Sequence, residues 1–275
     1  MTDAPVVAYP PAHHILRDLG LTTELGPGLV SRGHIDVDAH LRTETGLTHA
    51  GAIATLVDAL GGGLAAVAAQ PDWIATADLT MHVLARPGLT GIDAAASVVR
   101  RGRTTIVIEV DLTADDAPLG AASMTFAVLP RRDSNPVITA TDEISRMTMA
   151  VDGSGFVAPL ETTAEIETVD PTAGTVRLPI GDYVRNSLGA VQGGIMATLA
   201  AAASDRALSA AAGVPLGTVD LQVTYLTLAK VGPVETRTTV LEAGPRHGTA
   251  HVELVDTGAD GRRTTIVRTR AVPAR

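Results

Sequence analysis

The chain has 275 residues, enough for two ordinary domains, and its 45% hydrophobic and 19% charged residues describe a globular protein, not a disordered one. A formal charge of −9 with no long basic run argues against a nucleic-acid or anionic-membrane partner, and one Trp, three Tyr and two Phe leave little to stack on bases. The absence of cysteine excludes disulfides, thiolate metal sites and cysteine nucleophiles.

Residues 1–25, rich in Pro and His, read as an N-terminal arm. The start "MTDAPVVAYPPAHHILRD" lacks a basic run followed by an apolar stretch, so no signal peptide and a cytoplasmic location are expected. A first unit spans 26–130. It opens with a strand in "LVSRGHIDVDAHL" and continues into "HAGAIATLVDALGGGLAAVAAQ", His49 to Gln70. That segment is small and apolar on all sides, which suits a helix enclosed by a sheet. Its one acid, Asp58, has no Lys or Arg within the segment to pair with. An unpaired buried charge costs several kcal/mol, so such a group is usually paired, neutralised or functional.

Four runs of period-2 alternation follow: Leu79 to Ala85, Ile92 to Val98, Ile106 to Leu112 and Ala122 to Val128. Turn residues at "RPGLTG", "RRGR" and "ADDAPLG" separate them. Residues 131–152 read as a linker with one short helical turn, and 153–275 form a second unit.

The second unit is the first written again. "GLTHAGAIATLVDA" at Gly46 is repeated by "GAVQGGIMATLAAA" at Gly189, so His49 aligns with Gln192, 143 residues on. "WIATADLTMHV" returns as "PLGTVDLQVTY", and a strand in "AGTVRLPI" precedes the second helix. A helix followed by four strands in sequence predicts an antiparallel sheet with one face covered by that helix, an α+β fold made twice.

An apolar helix opened by Gly-x-x-His-x-Gly or Gly-x-x-Gln-Gly-Gly, with an acid nine residues after the His, resembles the hotdog fold. More narrowly it resembles the phenylacetate-pathway type of acyl-CoA thioesterase, as a tandem (double) hotdog in which each antiparallel sheet wraps one long central helix. "TADLTMHVLARPG" and "VVRRGR" stand where that family has a Thr/Ser-rich strand and a Gly-Arg turn. The resemblance implies hydrolysis of an acyl-CoA thioester without a cofactor, coenzyme A arriving as part of the substrate. It also implies a site shared between two units. One unit presents the helix start, whose backbone N–H binds the thioester oxygen, with an Asn and a His or Gln. The other presents the helix acid and a strand hydroxyl.

Carried over residue by residue, the first unit has the acid, Asp58, and the hydroxyl, Thr76, eighteen residues later. Thr43 stands in its Asn position, before His49-Ala50-Gly51. The second unit has Asn186, Gln192, Gly193 and Gly194, but Ala201 in place of the acid. The losses are complementary. Asp58 and Thr76 with Asn186, Gln192 and Gly193 make one whole catalytic set, with Gly194 letting substrate approach the backbone. Thr43, His49 and Ala201 make a degenerate second set. The first needs no base beyond Asp58, which would activate water or attack the carbonyl itself.

Blander roles stand beside these. Asp58 would simply find a Thr or backbone partner, and His49 would cap its helix. Asp205, one turn past Ala201, is a candidate substitute for the missing acid, but with Arg206 beside it the blander expectation is a solvated charge pair. Arg100, Arg101 and Arg103 would be a solvated turn, or would hold coenzyme A phosphates. His34/His40 and His247/His251 each share a strand face, but two ligands fall short of the three or four that zinc needs, so no metal is expected. Two other functions remain in play. One is a non-catalytic acyl-CoA or lipid-binding hotdog; the other is a hydratase or dehydratase, for which Asp182 has Ser187 where a His is needed. Whole chains are expected to pair as a homodimer, because one double unit leaves a broad sheet face uncovered.

Overall fold

The computed structural model describes residues 9–132 and 144–274. The elements in chain order are α1 (Ile15–Asp18), β1 (Thr22–Gly26), β2 (Val30–Asp36), α2 (Ala50–Ala69), β3 (Trp73–Val83), β4 (Gly91–Arg101), β5 (Thr105–Ala114), β6 (Ala117–Leu129) and β7 (Ser145–Thr148). The second half supplies α3 (Leu160–Thr163), β8 (Glu167–Asp170), β9 (Thr175–Leu178), α4 (Gly193–Ala212), β10 (Gly217–Tyr225), β11 (Val234–Gly244), β12 (His247–Asp256) and β13 (Arg262–Val272). Single 3-10 turns, Ala39–Leu41 and Asp182–Val184, lead towards the two long helices.

Among the described residues, all strands join one 13-stranded sheet in the order β7-β1-β2-β4-β5-β6-β3-β10-β13-β12-β11-β9-β8, every pairing antiparallel. Apart from β7, the order is palindromic about the β3–β10 pair, where Leu79 faces Val223 and Thr80 faces Gln222. The first strand after each central helix, β3 or β10, lies at the seam, which closes both inner edges and leaves only the short β7 and β8 outermost among the described residues. This is the α+β double hotdog, with α2 and α4 as the two central helices.

The inward faces carry the alternation read from the sequence. Ile106, Ile108, Val110 and Leu112 of β5 are each at most 1% exposed, as are Leu79 and Met81 of β3. Helix α2 is long and apolar enough to cross a membrane, but most of it is buried, as a core helix of a folded domain would be. It packs against β2 to β6, while α4 packs against β9 to β13. The two helices also touch each other near their starts. There a β-carbon added to Gly51 would overlap Thr198, and one added to Gly194 would overlap Thr55. The hydroxyls of these threonines turn back to their own helices, Thr55 to Gly51 O (2.8 Å) and Thr198 to Gly194 O (2.9 Å). Glycine at both points is what lets the helices meet. Of Gly61 to Gly63, only Gly61 is pressed, against Met124 and Phe126; Gly63 faces open space.

Three sequence readings need correction. The arm is not separate from Ile15 onwards, because Ile15, Leu16, Leu19 and Leu21 are buried and β1 pairs with β2. Helix α1 and β1 are the counterparts of α3 and β8, so the repeat begins earlier than its alternating strands suggest. The segment read as a linker, 131–152, holds β7, which pairs with β1; the helical turn expected in it is not found among its described residues, and residues 133–143 lie outside them. All four β7 residues are exposed, so no alternation marked them. His34 lies on β2 but His40 lies in a 3-10 turn, so that pair does not share a strand face.

Candidate active site

The answer to the unpaired acid lies across the helix crossing. Asp58, two turns into α2 and 9% exposed, reaches the start of α4 from the other half of the chain. Its Oδ2 accepts hydrogen bonds from Gln192 Nε2 (3.1 Å) and from the Gly194 N–H (3.2 Å). Its Oδ1 accepts one from the Thr76 hydroxyl (3.2 Å) on β3. A β-carbon on Gly193 would come within 2.8 Å of the same carboxylate. The structure thus brings Asp58, Thr76, Gln192, Gly193 and Gly194 together.

Local sequence explains each placement. Gln192 is the N-cap of α4, and its Oε1 accepts from the Ile195 N–H (3.1 Å). That bond fixes which end of the amide faces Asp58, because the capping oxygen points back and the NH2 points forward. Thr76 sits beside a register shift between Thr76 and Asp78 in the β3–β6 pairing, and the bulge turns the strand locally. Gly193 opens the 20-residue α4, where backbone N–H groups lack intrahelical partners and the helix dipole is positive.

No described Lys or Arg forms an ion pair with Asp58. Burial pushes its carboxyl up to about 6, against the opposing hydrogen bonds from Thr76 and Gly194. Tyr225 was not singled out in the sequence, although it ends the second copy's Thr-containing strand. Its hydroxyl donates to Gly193 O (2.9 Å), and burial with the Asp58 charge raises its pKa well above the phenol range, so it stays protonated. Asp58 also raises the Tyr9 phenol, behind burial as the larger cause. The segment around Tyr9 is tied to the turn before α4 by His14 Nε2 to Arg185 O (2.8 Å) and by the Tyr183 hydroxyl to Asp18 (2.8 Å).

Asn186 does not join the carboxylate. Its Oδ1 accepts from the Leu188 and Ala190 N–H groups (2.9 and 3.1 Å), and its Nδ2 lies 3.5 Å from Val191 O. It shapes the turn that delivers Gln192, a positioning role. Thr43 performs the matching task before α2, bonded to Thr45 (2.8 Å) and Leu47 O (3.3 Å). Arg100, Arg101 and Arg103 are exposed on the β4–β5 hairpin, and Arg101 reaches Gln70 O at the far end of α2, about 18 Å along the helix from Asp58 at ~1.5 Å per residue. Asp182 is exposed and paired with Arg185 (3.6 Å), so it offers no hydratase-type pair.

At the start of α2 the degenerate set is arranged differently. His49 caps the helix, Nδ1 accepting from the Gly51 N–H (3.0 Å), and its Nε2 lies 3.3 Å from Glu161 of α3. Glu161 also holds Arg206, and His49 and Arg206 together keep its carboxyl down at about 2 despite burial. Ala201 is fully buried and contributes no polar atom. Asp205 is not paired with Arg206. Its Oδ1 accepts from both the hydroxyl (2.5 Å) and the N–H (2.8 Å) of Thr218, and burial raises its carboxyl to about 6.

Two family profiles match this chain. Residues 13–128 match the acyl-CoA thioesterase C-terminal domain, and residues 184–273 match the acyl-CoA thioesterase N-terminal domain. The profiles thus occur in reversed order, which a site built between two side-by-side halves tolerates. Neither is a profile of the phenylacetate-pathway type, so that narrower likeness is not carried forward. No curated protein gives a significant match. Among solved structures, the tesB protein of Mycobacterium avium subsp. paratuberculosis is 15% identical with a TM-score of 0.59, over 88% of this chain and 92% of that one. A candidate thioesterase II from Thermobifida fusca is 18% identical with a TM-score of 0.59, over 95% and 98%. An acyl-ACP thioesterase from Bacteroides thetaiotaomicron is 10% identical with a TM-score of 0.54, over 88% and 98%. At such identities these structures speak to the fold alone, whereas the two domain matches span most of the sequence. By those matches and the palindromic pair of helix-wrapping half-sheets, the chain belongs to the double-hotdog acyl-CoA thioesterases.

Proposed function

We propose that the chain hydrolyses acyl-CoA thioesters at the composite site between Asp58 and the start of α4. The observation that carries this reading is a buried carboxylate, with no Lys or Arg partner among the described residues, held by Thr76 of its own half and by Gln192 and Gly194 of the other. A thioester carbonyl placed at the first N–H groups of α4 would have its developing negative charge stabilised by Gly193 N–H and the helix dipole. Ionised Asp58 then takes a proton from water as the water adds to the carbonyl, or adds to it directly to form an anhydride. In the first route the C–S bond then breaks to give free acid and coenzyme A; in the second C–S cleavage releases coenzyme A and a water hydrolyses the anhydride, giving the free acid and returning the Asp58 carboxylate. Thr76 and Gln192 orient the carboxylate throughout. A panel of acyl-CoA substrates with free-thiol detection tests the reading; coenzyme A binding without thiol release on any member would favour a non-catalytic binding protein.

The pH profile follows from the raised carboxyl. Asp58 must be ionised to accept a proton, so kcat/KM should fall about tenfold per pH unit below an apparent pKa of about 6 and level off above it. A profile flat down to pH 4.5 would contradict the assignment.

We also propose that the protein works in the cytoplasm and that chains pair, since apolar residues such as Val99 on β4 and Leu241 on β11 remain exposed at 55% and 63%. Sedimentation at micromolar concentration should return the mass of two chains; a single-chain mass would exclude the pairing.

A further inference from the structure

We propose that the cleft over the start of α2 is a second acyl-thioester hydrolysis site in the same chain, with Asp205 serving as the acid that Ala201 lacks. The inference rests on the thioester reading of the Asp58 site and extends it to the half whose motif is incomplete.

The cleft encloses about 400 Å³ and is lined, among others, by Thr43, His49, Glu161, Asp205, Arg206 and Leu216. That is the size range of small-molecule sites, with a mixture of apolar wall and a few polar groups. The polar groups repeat the parts of the Asp58 site. Thr218 is the counterpart of Thr76, and β10 carries the same register shift, between Thr218 and Asp220, that β3 carries between Thr76 and Asp78. As Thr76 holds Asp58, so Thr218 holds Asp205, here through both its hydroxyl and its N–H.

Both of those bonds fall on Oδ1, and Oδ2 of Asp205 has no hydrogen-bond partner among the described residues. The adjacent Arg206 does not neutralise it, because its guanidinium is committed to Glu161, Thr168 and Ala202 O. A carboxylate with one bound and one unclaimed oxygen, lining a cleft, is placed to accept a proton.

The displacement of the acid accounts for the cleft. Asp58 closes directly on the Gly194 N–H at 3.2 Å, whereas Asp205 stands four residues beyond the counterpart position Ala201, ~6 Å further along its helix. The Gly51 N–H, counterpart of Gly194, is taken by His49 Nδ1 instead. That bond requires the ring proton to be on Nε2, which faces the cleft wall at Glu161. A thioester carbonyl seated at the start of α2 leaves room between itself and Asp205 for the attacking water. Water oxygen bonds to the carbonyl carbon and its proton passes to Asp205. The C–S bond breaks, and the thiolate leaves with a proton as the coenzyme A thiol beside the free acid.

Titration of the full chain with a non-hydrolysable acyl-CoA thioether should give two equivalents per chain. Thr162→Trp fills the rim of the cleft from an exposed position with no side-chain hydrogen bond among the described residues; it should reduce the count to one and leave turnover at the Asp58 site unchanged. Asp58→Asn should retain a low thioesterase rate that Asp58→Asn/Asp205→Asn lowers at least ~10-fold further. Asn at 205 keeps an acceptor for Thr218, and the thermal midpoint of the double variant checks that it folds. One equivalent in the parent chain, or a residual rate indifferent to Asp205→Asn, overturns the proposal. Two equivalents in a chain that hydrolyses no acyl-CoA would instead sink hydrolysis at both sites and leave the cleft as a second place of binding.

Discussion

Asp58→Asn is expected to lower kcat on a good acyl-CoA substrate at least ~100-fold, the usual cost of losing a positioned base or nucleophile. The substitution is close to isosteric and keeps an acceptor for Thr76, but its NH2 then faces the Gln192 and Gly194 donors that Oδ2 accepts from, so the rate is read together with stability to separate lost chemistry from a loosened crossing. Stability supplies the control. The folded-state carboxyl lies at about 6, above the ordinary 3.8, so ionising it opposes folding. The parent chain has its full relative stability below about pH 3.8 and loses it as pH rises through 6, at ~1.4 kcal/mol per unit between those values. Asp58→Asn cannot lose that increment. Its denaturation midpoint should therefore gain on the parent from pH 4 to pH 7 while its activity stays low. Gln192→Ala should cost less, about 1–3 kcal/mol of transition-state stabilisation, because it removes an orienting hydrogen bond and a helix cap but leaves the acid. If Gln192→Ala proves the more damaging of the two, Asp58 is not the reacting group.

Gly194→Ala is expected to be as damaging to the fold as Asp58→Asn is to the rate. Helix propensity by itself favours Ala over Gly by ~1 kcal/mol in a helix interior. Here the added carbon would overlap the Thr55 backbone, an atom that no side-chain rotation can move away. Overpacking of this kind costs about 1–3 kcal/mol or more, so the net sign is destabilising. Gly51→Ala meets Thr198 in the mirrored way and should behave alike. Gly63→Ala is the opposite case: exposed, in the same helix as Gly51 and facing open space, it should stabilise by up to ~1 kcal/mol. Urea midpoints of the three variants test the pattern. Equal midpoints for Gly51→Ala and Gly63→Ala would mean that the helices do not meet where the glycines place them. Gly194→Ala should also reduce turnover, since parting the helices draws Asp58 away from the Gly194 N–H.

Those two effects mark the boundary between what one strand or helix announces and what only packing reveals. The alternation of Ile106, Ile108, Val110 and Leu112 is a local signal, because one face of a strand is either inside or outside. The long helices are local too, as are the repeat and its complementary losses: Asp58 without an Asn in one copy, Asn186 without an acid in the other. These the amino-acid order determined by itself, down to the pairing of Asp58 with Gln192.

Tertiary structure decided the remainder. Strand β7 is four exposed residues with no periodicity, and it becomes a strand only because the edge of β1 has unpaired backbone groups to offer. Asn186 has a catalytic residue type, yet its side-chain oxygen is closer to two backbone N–H groups of its own turn than to anything across the crossing. Asp205 and Arg206 are neighbours in sequence and looked like a solvated pair. Successive helical residues point about 100° apart, so one turns to Thr218 on β10 and the other to Glu161 on α3. Residue type and spacing record which groups a chain owns. Which of them meet depends on how close two helices can come, and at the crossing of α2 and α4 that is set by the missing side chains of Gly51 and Gly194.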